Sequence, residues 1–88
     1  MNKSHSEICI KVSIKNISDG TKGISLSGPD KLIGEWVDSG AYSLSITPDC
    51  QVSIYDESGK QRYLLTFPGT PIRGEQLSET EAAVILTV

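Results

Sequence analysis

GPDKLIGEWVDSG, residues 28–40, is the stretch that decides the fold, because its pattern fits both a short helix and a strand. As a helix it has Pro29 in the first turn and Gly40 at the C-terminal cap, and its apolar residues follow helical spacing. As a strand, the segment places Leu32, Gly34 and Trp36 at alternate positions. Gly34 also argues against the helix, because glycine in a helix interior costs about 1 kcal/mol of stability relative to alanine. We expect a short helix at 29–39 and keep the strand as the alternative.

The segments on either side of this stretch alternate between apolar and polar residues, which predicts half-buried strands. The clearest case is 8–15, where three isoleucines and a valine share one face. Ser18-Asp19-Gly20 then supplies a turn, because aspartate and glycine tolerate the positive φ of a hairpin reversal. The predicted strands are 8–15, 23–27, 42–47, 52–54, 61–67 and 82–88.

The chain after residue 67 carries one break and one apolar segment. Pro68-Gly69-Thr70-Pro71 breaks the sheet, because two prolines so close together cannot donate ladder hydrogen bonds, and we expect a loop or an edge crossing there. The segment 82–88 is apolar on both faces and rich in β-branched residues, which indicates a buried final strand. Ser78 and Glu81 leave a second interpretation open, a capping box that begins a short helix.

The length of the chain favours a single domain, because 88 residues close only one modest core. We therefore predict one mainly β domain over 8–88. It is a small antiparallel barrel or sandwich of about six or seven strands, with one short helix at 29–39. The short polar segment 1–7 is expected to be a flexible N-terminal tail.

The balance of charge and hydrophobicity disfavours several classes of protein. The net charge of −3, from 8 basic and 11 acidic residues, argues against binding a nucleic-acid backbone by bulk electrostatics. No apolar run approaches the roughly 20 residues that span a bilayer, and the first residues are polar, unlike a signal peptide. We expect a cytoplasmic protein without membrane contact, whose two cysteines, Cys9 and Cys50, are reduced thiols.

Residues for catalysis or metal binding are scarce. His5 is the single histidine and lies in the predicted tail, so we expect no serine or cysteine nucleophile to pair with it. No CxxC pair indicates a metal site, and no glycine-rich loop followed by lysine indicates phosphate binding. The sequence therefore predicts a protein that is not an enzyme and has no cofactor and no metal.

Small neutral side chains occupy the predicted outward face in the middle of the chain, where lysine and glutamate are common on a solvated sheet. Such a face is easily desolvated against a partner. Tyr55 lies opposite the apolar stripe of its strand, where a tyrosine can anchor a protein partner. We expect a protein-binding module or a homo-oligomer, with Ser43, Ser45, Thr47 and Tyr55 as candidate contact residues. The other members of this face are Ser25, Ser27 and Ser53.

Three lysines near the N-terminus, Lys11, Lys15 and Lys22, are the candidates for a nucleic-acid contact. Lys11 and Lys15 lie on the outer face of the first predicted strand, where they can meet phosphate groups. The competing interpretation is that both lysines keep an edge strand from pairing with other chains.

One family resemblance covers about residues 10–56. Two strands, a proline-led helical turn and a further hairpin resemble the swapped-hairpin barrel of the AbrB and MazE families. The segment LIGEWVDSG at 32–40 resembles the L-x-G-x-W-L motif of SymE-type toxins in that superfamily. The resemblance implies a nucleic-acid-associated regulator or a toxin–antitoxin component. Glu35 and Asp38 stand in the region where the DNA-binding members carry basic residues.

A second resemblance rests on Gly34-x-Trp36 followed by a meander of strands. This order is similar to the opening of lipocalin-like and avidin-like barrels. It implies that 29–39 is extended and that a small-ligand cavity lies near Trp36.

Overall fold

Eight strands form two antiparallel sheets within residues 7–28 and 33–87, the parts of the chain that the computed structural model describes. In chain order they are β1 (Glu7–Ser18), β2 (Thr21–Ser27), β3 (Gly34–Val37), β4 (Ser43–Ile46), β5 (Val52–Tyr55), β6 (Gln61–Leu65), β7 (Thr70–Ser78) and β8 (Glu81–Thr87). The mainly β, single-domain prediction is confirmed. The count exceeds the predicted six or seven because β3 and β7 are both strands.

The strand order places the N-terminal hairpin in the centre of the larger sheet. The five-stranded sheet has the order β3-β2-β1-β8-β7, and the three-stranded sheet has the order β4-β5-β6. Since β1 pairs with β2 on one side and β8 on the other, it is a central strand rather than an edge. The interpretation of its lysines as edge protection is therefore wrong.

The core lies between the two sheets and follows from the alternation read in the sequence. Val12 pairs with Leu26 and with Ala82, and Ile10 pairs with Val84, so their side chains share the inner face. The buried hydrophobic residues are Ile10, Val12, Ile14, Ile24, Ala41, Leu44, Val52, Ile54, Ala82, Val84 and Leu86. Burying a side chain of this size contributes about 1.5–3 kcal/mol, so this cluster is the main source of stability.

The predicted helix at 29–39 is wrong over Gly34–Val37, which forms β3, while 29–32 lie outside the described residues. β3 pairs with β2, with Trp36 opposite Ile24 and Gly34 opposite Leu26. Ladder hydrogen bonds and burial against Ile24 outweigh a weak helical preference in so short a segment. Of the predicted tail, Glu7 already belongs to β1, and 1–6 lie outside the described residues.

The end of the chain folds as a hairpin. The predicted break at 68–71 holds only for its first half, because Gly69 has a φ of 89° and β7 begins at Thr70. Pro71 is tolerated because β7 is an edge strand. β8 is a strand, which confirms the buried final segment, and the capping-box helix is wrong. The Ser78 hydroxyl instead accepts the Thr80 amide hydrogen at 3.2 Å in the turn between β7 and β8.

The two sheets form an open sandwich of 51 × 25 × 18 Å rather than a closed barrel. On one side β6 lies beside β3, where the rings of Trp36 and Tyr63 meet edge to face at 6.3 Å. On the other side β4 lies beside the β7–β8 hairpin, where the Leu44 amide donates to the Glu79 carbonyl at 2.9 Å. No helix that could cross a membrane occurs in the described part of the chain.

Candidate interaction surface

The β7 strand is exposed along its whole length. All nine residues from Thr70 to Ser78 are exposed, although the strand pairs with β8 over most of that length. Its other edge has no strand beside it in the described structure. An edge of this kind presents backbone N–H and C=O groups that a further strand can pair with.

Two β-bulges divide β7 and put apolar side chains into solvent. The pairing with β8 skips Ile72 and Leu77, which are the extra residues of the two bulges. Their side chains are 47% and 45% exposed. Between the bulges, the four residues from Arg73 to Gln76 pair with β8 in regular register. The regular segment is therefore flanked by an exposed apolar residue at each end.

β7 is held to the rest of the domain through its inner face. The Gln76 side chain reaches across to β4, where its Oε1 accepts the Ile46 amide hydrogen at 3.0 Å. Its Nε2 donates to the Leu44 carbonyl at 3.0 Å and also to the Ser78 carbonyl. Gly74 lies against Ile46 so closely that a Cβ would overlap that side chain. The inner face of β7 is thus occupied, while no strand among residues 7–28 and 33–87 lies along its outer edge.

The same contacts cover the edge of β4. With the Glu79 carbonyl accepting the Leu44 amide, both backbone groups of Leu44 and the amide of Ile46 have partners. A strand edge whose polar groups are satisfied offers little to an added strand. The remaining edges, β3 with four residues and β6 with five, are shorter than β7 with nine.

An ion pair joins the two sheets on the side of the sandwich where β3 and β6 meet. The Arg62 guanidinium donates from Nε to Asp38 Oδ2 and from Nη2 to Asp38 Oδ1, both at 2.8 Å. Asp38 is only 7% exposed, and its Oδ1 also accepts the Gly40 amide hydrogen at 2.9 Å. A Cβ at Gly40 would lie 2.7 Å from the guanidinium carbon, so a side chain there would displace the Arg62 guanidinium.

The pair holds both groups in their charged forms. Hydrogen bonds from Arg62 lower the pKa of Asp38 against the opposing effect of burial, with further lowering from Tyr63 and from the Gly40 amide. Asp38 in turn raises the pKa of Arg62. Since each charge is paired with the other, and Asp38 also accepts a backbone hydrogen bond, this cluster ties the two sheets together.

The predicted serine face is split between the two sheets. Ser25 and Ser27 pair with residues of β1 on the outer face of the five-stranded sheet. The other members lie on the three-stranded sheet, where Ser43 pairs with Tyr55 and Ser45 pairs with Ser53. The expectation of one continuous face is therefore wrong.

Within the three-stranded sheet, three of the four predicted contact residues come together. Ser43, Ser45 and Tyr55 share its outer face with Leu64, which is 46% exposed. Ser53, predicted to belong to the solvated face, is instead buried at 3% exposure. Thr47 serves the next turn instead. Its carbonyl accepts the Cys50 amide hydrogen, and its Oγ1 accepts the Gln51 amide hydrogen at 3.1 Å.

The three predicted nucleic-acid contacts all have local partners. Lys11 forms an ion pair with Glu81 and Lys15 forms one with Glu35, each at 3.4 Å. The Lys22 ammonium lies 5.1 Å from the centre of the Tyr42 ring. Exposed pairs of this kind contribute about 0–1 kcal/mol, so they orient the lysines without removing them from solvent.

The other sequence candidates do not assemble into a site. Trp36, near which a ligand cavity was expected, packs on Tyr63. A small apolar cleft of about 230 Å³ is not lined by Trp36; its lining residues are Ile10, Leu26, Ile33, Leu65, Thr66, Phe67 and Pro68. Cys9 is exposed on β1 and Cys50 is half-buried in a turn, and both are free thiols. In the described ranges no three histidine, cysteine or acidic side chains are placed to hold a metal ion. His5 lies outside those ranges.

Sequence reasoning missed the residues that define this surface. β7 was not predicted because Pro68 and Pro71 near its start indicated a break in the sheet. Its two bulges also interrupt the alternation by which a strand is recognised. A local turn can be predicted where Asp38 is followed two residues later by Gly40. The ion pair cannot be predicted from this pattern, because the partner of Asp38, Arg62, lies 24 positions away in the chain. Gln76 carries no sequence signal, because its role depends on β4 lying opposite.

No protein-family model, curated protein or solved structure matches this chain.

Proposed function

We propose that this domain is a non-catalytic module that binds protein by strand addition along β7. The observation that supports it most is the full exposure of a nine-residue edge strand whose inner face is anchored by Gln76. Anchoring matters because a strand that is already ordered costs less conformational entropy to pair than a free segment. The β7 edge is therefore already ordered for pairing with a further strand.

Strand addition combines two sources of binding free energy. Main-chain hydrogen bonds along the edge provide affinity for any extended segment, and side chains on alternate positions provide selectivity. In β7 the selective positions are the charged pair Arg73 and Glu75 and the exposed apolar residues Ile72 and Leu77. The partner is accordingly an extended segment with charge and apolar groups of its own.

The other edges are poorer candidates for the same role. Gln76 and Glu79 already satisfy the backbone of β4, and β3 and β6 provide only short ladders. The serine and tyrosine face of the three-stranded sheet is a flat surface rather than an edge. We place the protein in a reducing compartment such as the cytoplasm, in keeping with its two free thiols.

The proposal is tested by selecting extended peptides and finding where they bind. A displayed library of random nine-residue peptides is selected against the protein, and the amide resonances of the ¹⁵N-labelled chain are followed with each selected peptide. We expect the largest shifts, together with slower amide exchange, within 70–78. Shifts confined to β3 or β6, or a selection that yields no binder, would contradict strand addition at β7.

A matched pair of variants makes the result specific. The double variant Ile72→Lys and Leu77→Lys removes the exposed apolar residues of β7, and we expect it to lose the selected peptides. The control, Val37→Lys with Leu64→Lys, changes residues of β3 and β6 that are 61% and 46% exposed. It is expected to retain peptide binding, since it alters exposed apolar positions on other strands.

A further inference from the structure

The regular segment of β7 is self-complementary in charge. Arg73 and Glu75 flank Gly74, and both are exposed. They lie on the outer face of the sheet, because Arg73 pairs with Ile85 and Glu75 with Ala83, whereas Gly74 pairs with the buried Val84. A strand that carries a positive and a negative residue symmetrically about one position matches a reversed copy of itself.

We propose that the partner of β7 is β7 of a second copy of this chain, paired antiparallel about a two-fold axis at Gly74. The inference rests on the proposed strand addition and names its occupant. In this register Arg73 of each copy lies opposite Glu75 of the other, which gives two cross-strand pairs of opposite charge. Directly opposed side chains in an antiparallel ladder have Cβ atoms about 4.5–5.5 Å apart, within reach of such pairs.

The charges also select this register over its neighbours. Moving the two strands by two residues in one direction places Arg73 opposite its own copy, and moving them in the other direction places Glu75 opposite its own copy. Both alternatives set like charges against each other, which destabilises the pairing. A one-residue shift would place the outer face of one sheet beside the core-facing side of the other. The register centred on Gly74 is thus the favoured one.

The two bulge residues of β7 lie at the ends of the segment that pairs in the proposed dimer. Ile72 and Leu77 lie at opposite ends of the regular segment, so reversal brings Ile72 of one copy to the end where Leu77 of the other lies. In the register centred on Gly74, Ile72 of one copy lies opposite Gln76 of the other and Leu77 lies opposite Pro71, so one exposed apolar residue of each copy borders the paired segment at each end.

The same features limit the assembly to two chains. Pro71 has no amide hydrogen, and the bulges interrupt the ladder on either side, so pairing is confined to a short segment. A two-fold contact uses the same edge of both copies and leaves none of it for a third. We therefore expect a closed dimer with a continuous ten-stranded sheet and no open fibre.

The experiment measures solution mass by light scattering across a hundredfold range of protein concentration. Wild type is expected to move from monomer to dimer. Arg73→Glu alone and Glu75→Arg alone each turn two attractive pairs into two repulsive ones, so the dimer dissociation constant is expected to rise at least about tenfold. The exposed turn variants Lys60→Glu and Glu57→Arg make the same charge changes away from β7 and should dimerise like wild type.

Mixing the two single variants is the decisive measurement. One chain then carries two glutamates and the other two arginines at 73 and 75, so every cross-strand pair is attractive and a heterodimer is expected. The double variant Arg73→Glu with Glu75→Arg should likewise recover the homodimer, which also shows that the changes do not prevent folding. Failure of both to recover dimerisation would overturn the register.

The outcomes separate this inference from the proposed function. A wild-type chain that stays monomeric, yet binds selected peptides at 70–78, would overturn self-pairing and leave strand addition in place. A dimer unaffected by both single variants would place the interface elsewhere and overturn self-pairing as well. A monomer that binds no peptide would contradict both proposals.

Discussion

Asp38 and Arg62 join the two sheets through paired hydrogen bonds of 2.8 Å each, although they lie 24 residues apart in the chain. Asp38 follows β3 in the five-stranded sheet, and Arg62 belongs to β6 in the three-stranded sheet. On the opposite side of the sandwich the Gln76 side chain joins β7 to β4. The open sandwich is thus held on each side by polar contacts that add to the shared core.

Removing the carboxylate is expected to destabilise the fold. Asp38→Ala deprives the Arg62 guanidinium and the Gly40 amide of their acceptor, and we expect the free energy of unfolding to fall by about 2–4 kcal/mol. Urea denaturation followed by Trp36 fluorescence measures it. Arg62→Lys keeps a charge but loses the planar pair of donors, so it should lie between wild type and Asp38→Ala. Equal stability of all three proteins would contradict a structural role for the pair.

The lowered pKa of Asp38 predicts a particular pH dependence. A carboxyl whose pKa is lower in the folded than in the unfolded state stabilises the protein above its unfolded pKa, near 3.8, and this contribution is lost as pH falls through the folded pKa. The difference in unfolding free energy between wild type and Asp38→Asn should therefore be constant from about pH 8 to 5 and shrink below about pH 4.

The control for this titration is Glu57→Gln, which removes a carboxylate from an exposed turn. Its stability difference from wild type should stay small over the same range, because exposed charges contribute little. A wild-type advantage over Asp38→Asn that grows as the solution is acidified would have the wrong sign for a carboxylate stabilised in its charged form.

The sequence was informative wherever burial alternates residue by residue. β1 and the β4–β5–β6 meander were predictable because one face of each strand meets the core, and a period of two follows directly. β8 was predictable for a different reason, since its segment is apolar on both faces and rich in β-branched residues. β3 was ambiguous because Gly34–Val37 is too short to distinguish a helix from a strand. β7 was missed because its inner face contacts β4 only through Gly74 and the polar Gln76, and all nine of its residues stay exposed, so no apolar alternation marks it.

The side-chain bridge from Gln76 should control the edge of β4. Gln76→Ala leaves the Ile46 amide and the Leu44 carbonyl without their side-chain partner, and we expect a loss of about 1–2 kcal/mol of stability. The Ile46 amide should also exchange with solvent faster, which hydrogen exchange followed by NMR measures residue by residue. Gln61→Ala, an exposed glutamine on β6, is the matched control and should change neither quantity. Unchanged protection of Ile46 would show that β4 does not depend on the bridge.

The serine and tyrosine face and the β7 edge lie on different sheets, so substitutions can tell which one mediates association. Ser43→Glu with Ser45→Glu places two carboxylates on the outer face of the three-stranded sheet. Because β7 pairs through the edge of the other sheet, we expect this variant to keep the wild-type dissociation constant within about twofold and to bind the same selected peptides, since salt screens exposed charges that lie away from the contact. Light scattering and the peptide titration measure both quantities. If the double glutamate variant dissociates while Arg73→Glu does not, the serine and tyrosine face mediates dimerisation. β7 is then an exposed edge whose pairing with other chains is prevented by Pro71 and the two bulges.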